Sequence, residues 1–288
     1  MWKFEKVIFN ECHAQLPTPI YIGNSTIRVY YSTKKEGISN IFFVDIDENT
    51  LSQVSPSKAA MLQGDRGMFD SSGVMPSSIF TEFSSSNLER RYEHRVMYYT
   101  GWRKKVDVPY GHAIGIADIN EDGTLVRRYS GPILDANIHD AHLVNSAFVD
   151  KMCGFHIMLY SSGTGWIDDY PCYCIKKAMS FDGEFWITNK SKEITFGLQD
   201  EAISRVTRDY EKNIWYFSMK TKNTNYKIYT QNDQGLKESI VVGSNGWDDE
   251  MQCYPFIYQR GNIKYMFYNG NGYGATGIGV AKWIEDIV

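Results

Sequence analysis

Five stretches decide how this sequence is read: Ile27-Arg-Val-Tyr-Tyr-Ser32, Arg95-Val-Met-Tyr-Tyr-Thr100, His156-Ile-Met-Leu-Tyr-Ser161, Ile214-Trp-Tyr-Phe-Ser218 and Lys264-Tyr-Met-Phe-Tyr-Asn269. Each is a short β-branched and aromatic run, and each carries a landmark ring near its end: Tyr31, Tyr99, Tyr160, Phe217 and Tyr268. Such composition favours strands. A second strand precedes each landmark: Gln15-Leu-Pro-Thr-Pro-Ile-Tyr21, Val74-Met-Pro-Ser-Ser-Ile-Phe80, Val144-Asn-Ser-Ala-Phe-Val149, Ile203-Ser-Arg-Val-Thr207 and Cys253-Tyr-Pro-Phe-Ile-Tyr258. A third follows: Asn40-Ile-Phe-Phe-Val-Asp45, His112-Ala-Ile-Gly-Ile-Ala117, Tyr173-Cys-Ile-Lys-Lys-Ala178, Tyr226-Lys-Ile-Tyr-Thr230 and Gly277-Ile-Gly-Val-Ala281. Turn clusters such as Asn120-Glu-Asp-Gly123 and Phe181-Asp-Gly183 separate them.

Units of roughly 50–70 residues, each made of short strands, read as the blades of a propeller. The expected fold is all-β: one domain over residues 1–288, a single five-bladed β-propeller. The last unit runs out of chain after three strands. Lys3-Phe-Glu-Lys-Val-Ile-Phe9 is an orphan strand that can supply its fourth, closing the ring and removing an open sheet edge. A generic sandwich is the competing architecture, but it gives no reason for a five-fold landmark. Ser84-Ser-Ser-Asn87 and Glu89-Arg-Arg91 read as a polar hairpin extension on the rim.

Composition excludes several functions. The 288 residues carry 30 Lys and Arg against 34 Asp and Glu, a formal net charge of −4, which lacks the basic footprint of a nucleic-acid binder. No apolar run approaches the ~20 residues of a membrane span. The opening Met1-Trp-Lys-Phe-Glu-Lys-Val-Ile-Phe-Asn10 has no signal-peptide core. Cys12, Cys153, Cys172, Cys174 and Cys253 are odd in number and form no CxxC pair. Together these features set the expectation of reduced thiols in a cytoplasmic protein.

In a propeller the first strand of each blade lines the central channel, and the loop before it opens onto the mouth. That position offers His13-Ala-Gln15; Asp65-Arg66 through Asp70; Asp135, His139-Asp-Ala-His142 and Asn145; Asp200-Glu201 with Arg205; and Trp247-Asp-Asp-Glu250 with Tyr254. Carboxylates recur in four of the five units. Crowded in one channel they would raise one another's pKa, which makes a candidate acid and base; as turn and cap residues they would do neither. On an uninterrupted strand residues 201, 203 and 205 share a face, so Glu201 and Arg205 are expected to look into the channel together. Trp102, Trp166, Trp247 and Tyr273 sit in glycine-containing loops and offer flat faces for sugar rings. The Cys and His spacings supply no complete ligand set, so no metal and no cofactor is expected.

His13-Ala-Gln-Leu-Pro17, Phe69-Asp-Ser-Ser-Gly-Val-Met-Pro-Ser-Ser78, Asp200-Glu-Ala-Ile-Ser-Arg205, Trp247-Asp-Asp-Glu-Met-Gln-Cys-Tyr-Pro255 and Tyr268-Asn-Gly-Asn-Gly-Tyr-Gly-Ala-Thr-Gly-Ile-Gly279 together resemble the glycosidase-like five-bladed propeller clan. That clan includes glycoside hydrolase families 43, 32, 68 and 130. The likeness extends to uncharacterised members associated with bacterial surface-polysaccharide biosynthesis. It implies a carbohydrate-active enzyme acting on a glycosidic or activated-sugar bond, with acids contributed by separate blades. On this resemblance Glu201 is the expected general acid and Asp70 the base or nucleophile. Asp249 tunes pKa, with Glu250 as its alternate or a substrate contact. His13, Gln15, Arg66, His142, Arg205, Trp247 and Tyr254 bind substrate. The first unit departs from the hydrolytic pattern, because His13-Ala-Gln15 contains no carboxylate. Two further readings therefore stand beside the first: a non-catalytic glycan-binding propeller, and a transferase using a nucleotide sugar held by Arg66, Arg103 or Arg205. The oligomeric state is left open.

Overall fold

The computed structural model describes residues 1–10, 13–84, 92–238, 241–242 and 246–284. Cys12 and the proposed hairpin tip at 85–91 lie outside the described residues. Among the described residues the chain is all-β apart from one short helical turn at Asn271–Gly274. After β1 (Trp2–Phe9) come four antiparallel meanders in chain order. The first is β2 (Gln15–Gly23), β3 (Thr26–Lys35), β4 (Ile38–Asp47) and β5 (Lys58–Met61). The second is β6 (Gly73–Ser84), β7 (Tyr92–Arg103), β8 (Gly111–Ile119) and β9 (Leu125–Arg127). The third is β10 (Val144–Met152), β11 (Phe155–Ile167), β12 (Tyr170–Ser180) and β13 (Ile187–Ile194). The fourth is β14 (Ala202–Asp209), β15 (Ile214–Lys220), β16 (Lys227–Asn232) and β17 (Gly235–Glu238). The short β18 (Val241–Val242) leads to β19 (Cys253–Arg260), β20 (Ile263–Asn269) and β21 (Ile278–Trp283). These last strands form one sheet in the order β18-β1-β21-β20-β19. The N-terminal strand thus pairs antiparallel with the C-terminal one, with Trp2 opposite Trp283 and Phe4 opposite Ala281.

The sheets are arranged as propeller-like blades, and the landmark strands show why. Single parallel bridges, Ser39 to Gly73 and Tyr173 to Ala202, join the first meander to the second and the third to the fourth, and apart from these bridges each meander is its own sheet. Tyr31, Tyr99, Tyr160, Phe217 and Tyr268 lie in β3, β7, β11, β15 and β20, the second strand of each, and all are fully buried. Adjacent residues on one of these strands are buried on opposite faces, each against a different neighbour. Tyr31 belongs to the core shared with Phe267 and Val280 of the last sheet, whereas Tyr30 belongs to the core shared with Met97 and Tyr99 of the second. Tyr98 packs with Met158 and Tyr160 of the third, Phe148 and Leu159 with Phe217 of the fourth, and Tyr216 with Met266 and Tyr268 of the last. The hydrophobic core is therefore a set of layers between sheets, and no meander buries its apolar surface alone. Near-continuous apolar runs on the second strands follow from burial on both faces.

The innermost strands β2, β6, β10, β14 and β19 share an irregularity at the same place. The register against the second strand slips between Gln15 and Thr18, Pro76 and Ser78, Asn145 and Phe148, Ser204 and Thr207, and Cys253 and Phe256. In four of them the residue entering the slip is left-handed: Leu16 (φ 59°), Ser146 (53°), Arg205 (62°) and Tyr254 (55°). That conformation costs a non-glycine residue about 1–2 kcal/mol. Its recurrence marks a β-bulge that re-aims the side chains around it.

Candidate functional site

The bulges open onto a cavity of about 280 Å³ to which every sheet contributes. Leu16, Pro76, Ser146, Ser204 and Tyr254 come from the five inner strands, and Tyr110, Tyr173, Tyr226 and Tyr273 build an aromatic wall. The phenols sit close enough to act as one surface. Tyr110 and Tyr173 share a 3.0 Å hydroxyl contact, and the Tyr226 ring lies 5.7 Å from Tyr254 and 6.0 Å from Tyr273. Burial, reinforced by the neighbouring phenols, raises Tyr173, Tyr226 and Tyr254 well above the ordinary tyrosine range, so they remain protonated donors. His112 stacks on Tyr110 at 4.5 Å. Burial, helped by Lys34, pushes its imidazole down to about 3. The ring is therefore neutral. Asn145 Nδ2 approaches its Nδ1 at 3.1 Å and donates there, which places the ring proton on Nε2.

The last residues paired before the bulges are Gln15, Pro76, Asn145, Ser204 and Cys253. None is ionised at neutral pH. No described residue lining the cavity is an aspartate or a glutamate. The charges that approach it are cationic. Lys220, at the end of β15, donates to the Tyr273 hydroxyl at 2.8 Å and sits 5.1 Å from the rings of Tyr170, Tyr226 and Tyr273. Arg205 is fully buried and holds three sheets together, donating to Pro76 O, Pro17 O and Thr18 Oγ1, each at 2.7 Å.

The structure revises most of the residues expected at this site. Glu201 does not face the cavity with Arg205. Its carboxylate is 1% exposed and accepts from the Thr195 hydroxyl, from Phe196 N at 2.7 Å and from Leu198 N at 3.3 Å, tying down the 195–201 loop. Asp70 is also fully buried, accepting from Arg127 Nε at 2.7 Å and from the Tyr99 hydroxyl at 3.3 Å. The same contact recurs elsewhere. Tyr160 donates to Asp140 at 2.9 Å and Tyr268 to Asp248 at 2.7 Å. The repeated carboxylates are thus partners of the landmark tyrosines inside the sheets. The fourth meander has Phe217 and no hydroxyl there, and its carboxylate turns to the Thr195 hydroxyl and two backbone donors instead. Asp249 is exposed, and its pKa is lowered by the Asn271 amide at 2.7 Å; Glu250 is exposed beside it. Trp247 is a core ring that packs on Tyr268 and donates to Thr276 O at 3.1 Å. A Cβ at Gly279 would stand 2.4 Å from its ring. His13, Arg66 and His142 are exposed and outside the cavity lining. Arg103 pairs with Asp135.

Of the expected contacts, Tyr254 lines the cavity, and Gln15 and Arg205 stand at or beside its bulges. The sequence reading passed over Lys220, Tyr110, Tyr173, Tyr226 and His112, which lie on or beside second and third strands. The richness in tyrosine was the available signal. Tyr273 reaches the cavity from the Asn269-Gly-Asn-Gly-Tyr-Gly274 loop, where it and Gly272 are both left-handed. Asn269 anchors that loop to the first sheet through Ala14 O and Leu16 N. A larger cleft of about 380 Å³ opens between the third and fourth sheets. Its walls are mostly apolar, and Arg208 and Asp150 within it pair with each other at 3.1 Å. Among the described residues no group of three or more His, Cys, Asp or Glu is placed to hold a metal ion, and no helix is long and apolar enough to cross a membrane.

The fold is that of the propeller-type glycosidase-like clan. An α-L-arabinofuranosidase from Lactobacillus brevis superposes with a TM-score of 0.69 at 9% identity, covering 99% of this chain and 94% of that one. A putative glycosidase from Bacteroides thetaiotaomicron gives 0.63 at 12% identity, over 97% and 89%. A structure of the GH130 family of mannoside phosphorylases, which contains glycoside hydrolases that target β-1,2 mannosidic linkages in Candida mannan, gives 0.66 at 12%, over 96% and 86%. No family model matches the chain. By sequence, the chain belongs to the family of the uncharacterised Mycobacterium tuberculosis proteins MT1551 and Rv1502. Each is 30% identical to it over 95% of this chain and 93% of its own length.

Proposed function

We propose that this chain is a single five-bladed propeller, closed by β1 in the last blade, that acts on a carbohydrate seated in the tyrosine-walled axial cavity. The pairing of β1 with β21 and the succession of inter-sheet cores support that architecture. Glycosidases and phosphorylases among the structural neighbours support a sugar as ligand. One observation selects within the class: the bulge positions Gln15, Asn145 and Ser204 are neutral where hydrolysis by two carboxylates needs an acid and a base flanking the bond. The reading favoured is therefore sugar recognition or transfer of an already activated sugar, without carboxylate-pair hydrolysis. Ring faces of Tyr226, Tyr254 and Tyr273 cover the C–H face of the sugar. The phenols, His112 Nε2 and the Ser146 and Ser204 hydroxyls bond its oxygens. A cytoplasmic setting belongs to the same reading and is supported by four free cysteines, Cys153, Cys172, Cys174 and Cys253. So does a place in bacterial surface-polysaccharide metabolism, which rests on the sequence resemblance.

Calorimetric titration with a panel of monosaccharides and activated sugars tests the site. Tyr226→Ala is expected to weaken every bound sugar at least tenfold. Hydrolysis of a glycoside that is abolished by Asp70→Asn yet indifferent to Tyr226→Ala would overturn it.

A further inference from the structure

Among the described residues, several buried or half-buried cations of the sheets are matched by carboxylates. Lys264 has Asp209 and Glu211, Lys176 has Asp140, Arg127 has Asp70, and Arg28 has Asp45. At the axis the pattern stops. Arg205, 1% exposed, spends its guanidinium on carbonyls and one hydroxyl, and its Nε has no partner. Two of the carbonyls it engages belong to Leu16 and Pro76, which line the cavity. Lys220 faces the same cavity with only Tyr273 and the surrounding rings as partners, and no described carboxylate pairs with it. An uncompensated buried cation is costly, and a neutral ligand does nothing to offset that cost.

We propose that the ligand of this cavity is an acidic sugar, a monosaccharide unit bearing a carboxylate or phosphate whose anion is held by Lys220, with the Arg205 guanidinium behind the Leu16 and Pro76 carbonyls of the wall. This deepens the reading of the cavity as the sugar site and rests on it. The wall supplies what an anion needs, namely neutral donors and a cation with no competing carboxylate. The rings that surround Lys220 also present apolar faces, so one corner of the cavity holds the charge while the others hold the sugar ring. A volume of about 280 Å³ suits one sugar with its charged substituent, and any larger group extends out of the mouth.

The test is calorimetric titration of the full chain with matched ligands. These are galacturonate against galactose, glucuronate against glucose, glucose 1-phosphate, and inorganic phosphate and acetate alone. The acidic member of each pair is expected to bind about tenfold or more tighter than the neutral one, with an affinity that falls as salt is raised. Uronates and the sugar phosphate compared side by side identify which anion is preferred. Lys220→Met is expected to erase the preference, so that the acidic and neutral members of each pair bind alike. Lys222→Met removes a rim cation paired with Asp168 and is expected to keep the preference. Circular dichroism and the thermal midpoint confirm that both variants fold. Equal binding of acidic and neutral sugars, unmoved by Lys220→Met, overturns the anion seat and leaves the sugar site standing. Phosphate or acetate binding as tightly as the sugar acids shows an anion site without sugar recognition and overturns the proposal. Failure of every sugar to bind overturns the sugar site with it.

Discussion

Glu201→Gln separates the two roles this residue has been given. As a general acid it would carry a rate factor of about 10²–10⁴. The structure instead makes it a clamp. Its Oε1 accepts from Thr195 and its Oε2 from Phe196 N and Leu198 N, in a site that is 1% exposed. Glutamine can still turn its carbonyl to the two backbone donors and its amide to the Thr195 hydroxyl, so the bonds survive without their charge. Hydrogen bonds to charged groups are worth about 1.5–3 kcal/mol against about 0.5–1.5 for neutral ones, which gives an expected loss of about 1–3 kcal/mol. Glu201→Ala also strands two amides and leaves a void, for about 3–5 kcal/mol. In a chain of this size each kcal/mol lowers the thermal midpoint by about 2 °C. Urea denaturation followed by tryptophan fluorescence reads the same losses as a lower midpoint at unchanged slope. Ligand affinity, or turnover of any substrate found, is expected to hold within about threefold. A glutamine variant as stable as the parent chain but unable to bind or turn over ligand would refute the clamp and restore the acid.

Three further outcomes are expected. Tyr268→Phe removes the hydroxyl that bonds the buried Asp248 carboxylate at 2.7 Å and is expected to cost about 1.5–3 kcal/mol in urea denaturation; a loss below about 0.5 kcal/mol would show that the landmark hydroxyl is dispensable. His112 has a folded pKa near 3, below its ordinary value of 6.5, so its contribution is fully present above pH 6.5 and is lost as pH falls toward 3. His112→Gln is expected to flatten that part of the stability profile relative to the parent chain, and parallel profiles would contradict the assignment. Deleting residues 1–9 removes β1 from beside β21 and bares a sheet edge. Light scattering is expected to show added self-association and a lower thermal midpoint, and an unchanged midpoint would mean that β1 does not close the last sheet.

The strand triplets were legible because burial on both faces writes itself as apolar runs with aromatic ends. Tyr31, Tyr99, Tyr160, Phe217 and Tyr268 all came to rest in second strands. The orphan strand at the N-terminus was legible for a related reason, since an edge left unpaired at the other end needed a partner. The site was much less so. Alternation along a strand predicts one face for residues 201, 203 and 205, but Glu201 precedes β14 and the left-handed bulge at Arg205 breaks the period. A single inserted residue turns every later side chain to the other face, and nothing local in Ser204-Arg205-Val206 announces it. The blade-start carboxylates were equally ambiguous. Asp70 finds Arg127 and Tyr99, and Asp140 finds Tyr160 and Lys176, across loops and strands that only the packed sheets bring together. Lys220 and the tyrosines around it come from different strands and loops, so their meeting at the axis exists only once the sheets have turned around it. The sequence by itself determined the repeating strands and what they bury. The tertiary structure alone decided which polar groups face the cavity, because that depends on bulges and on partners far away along the chain.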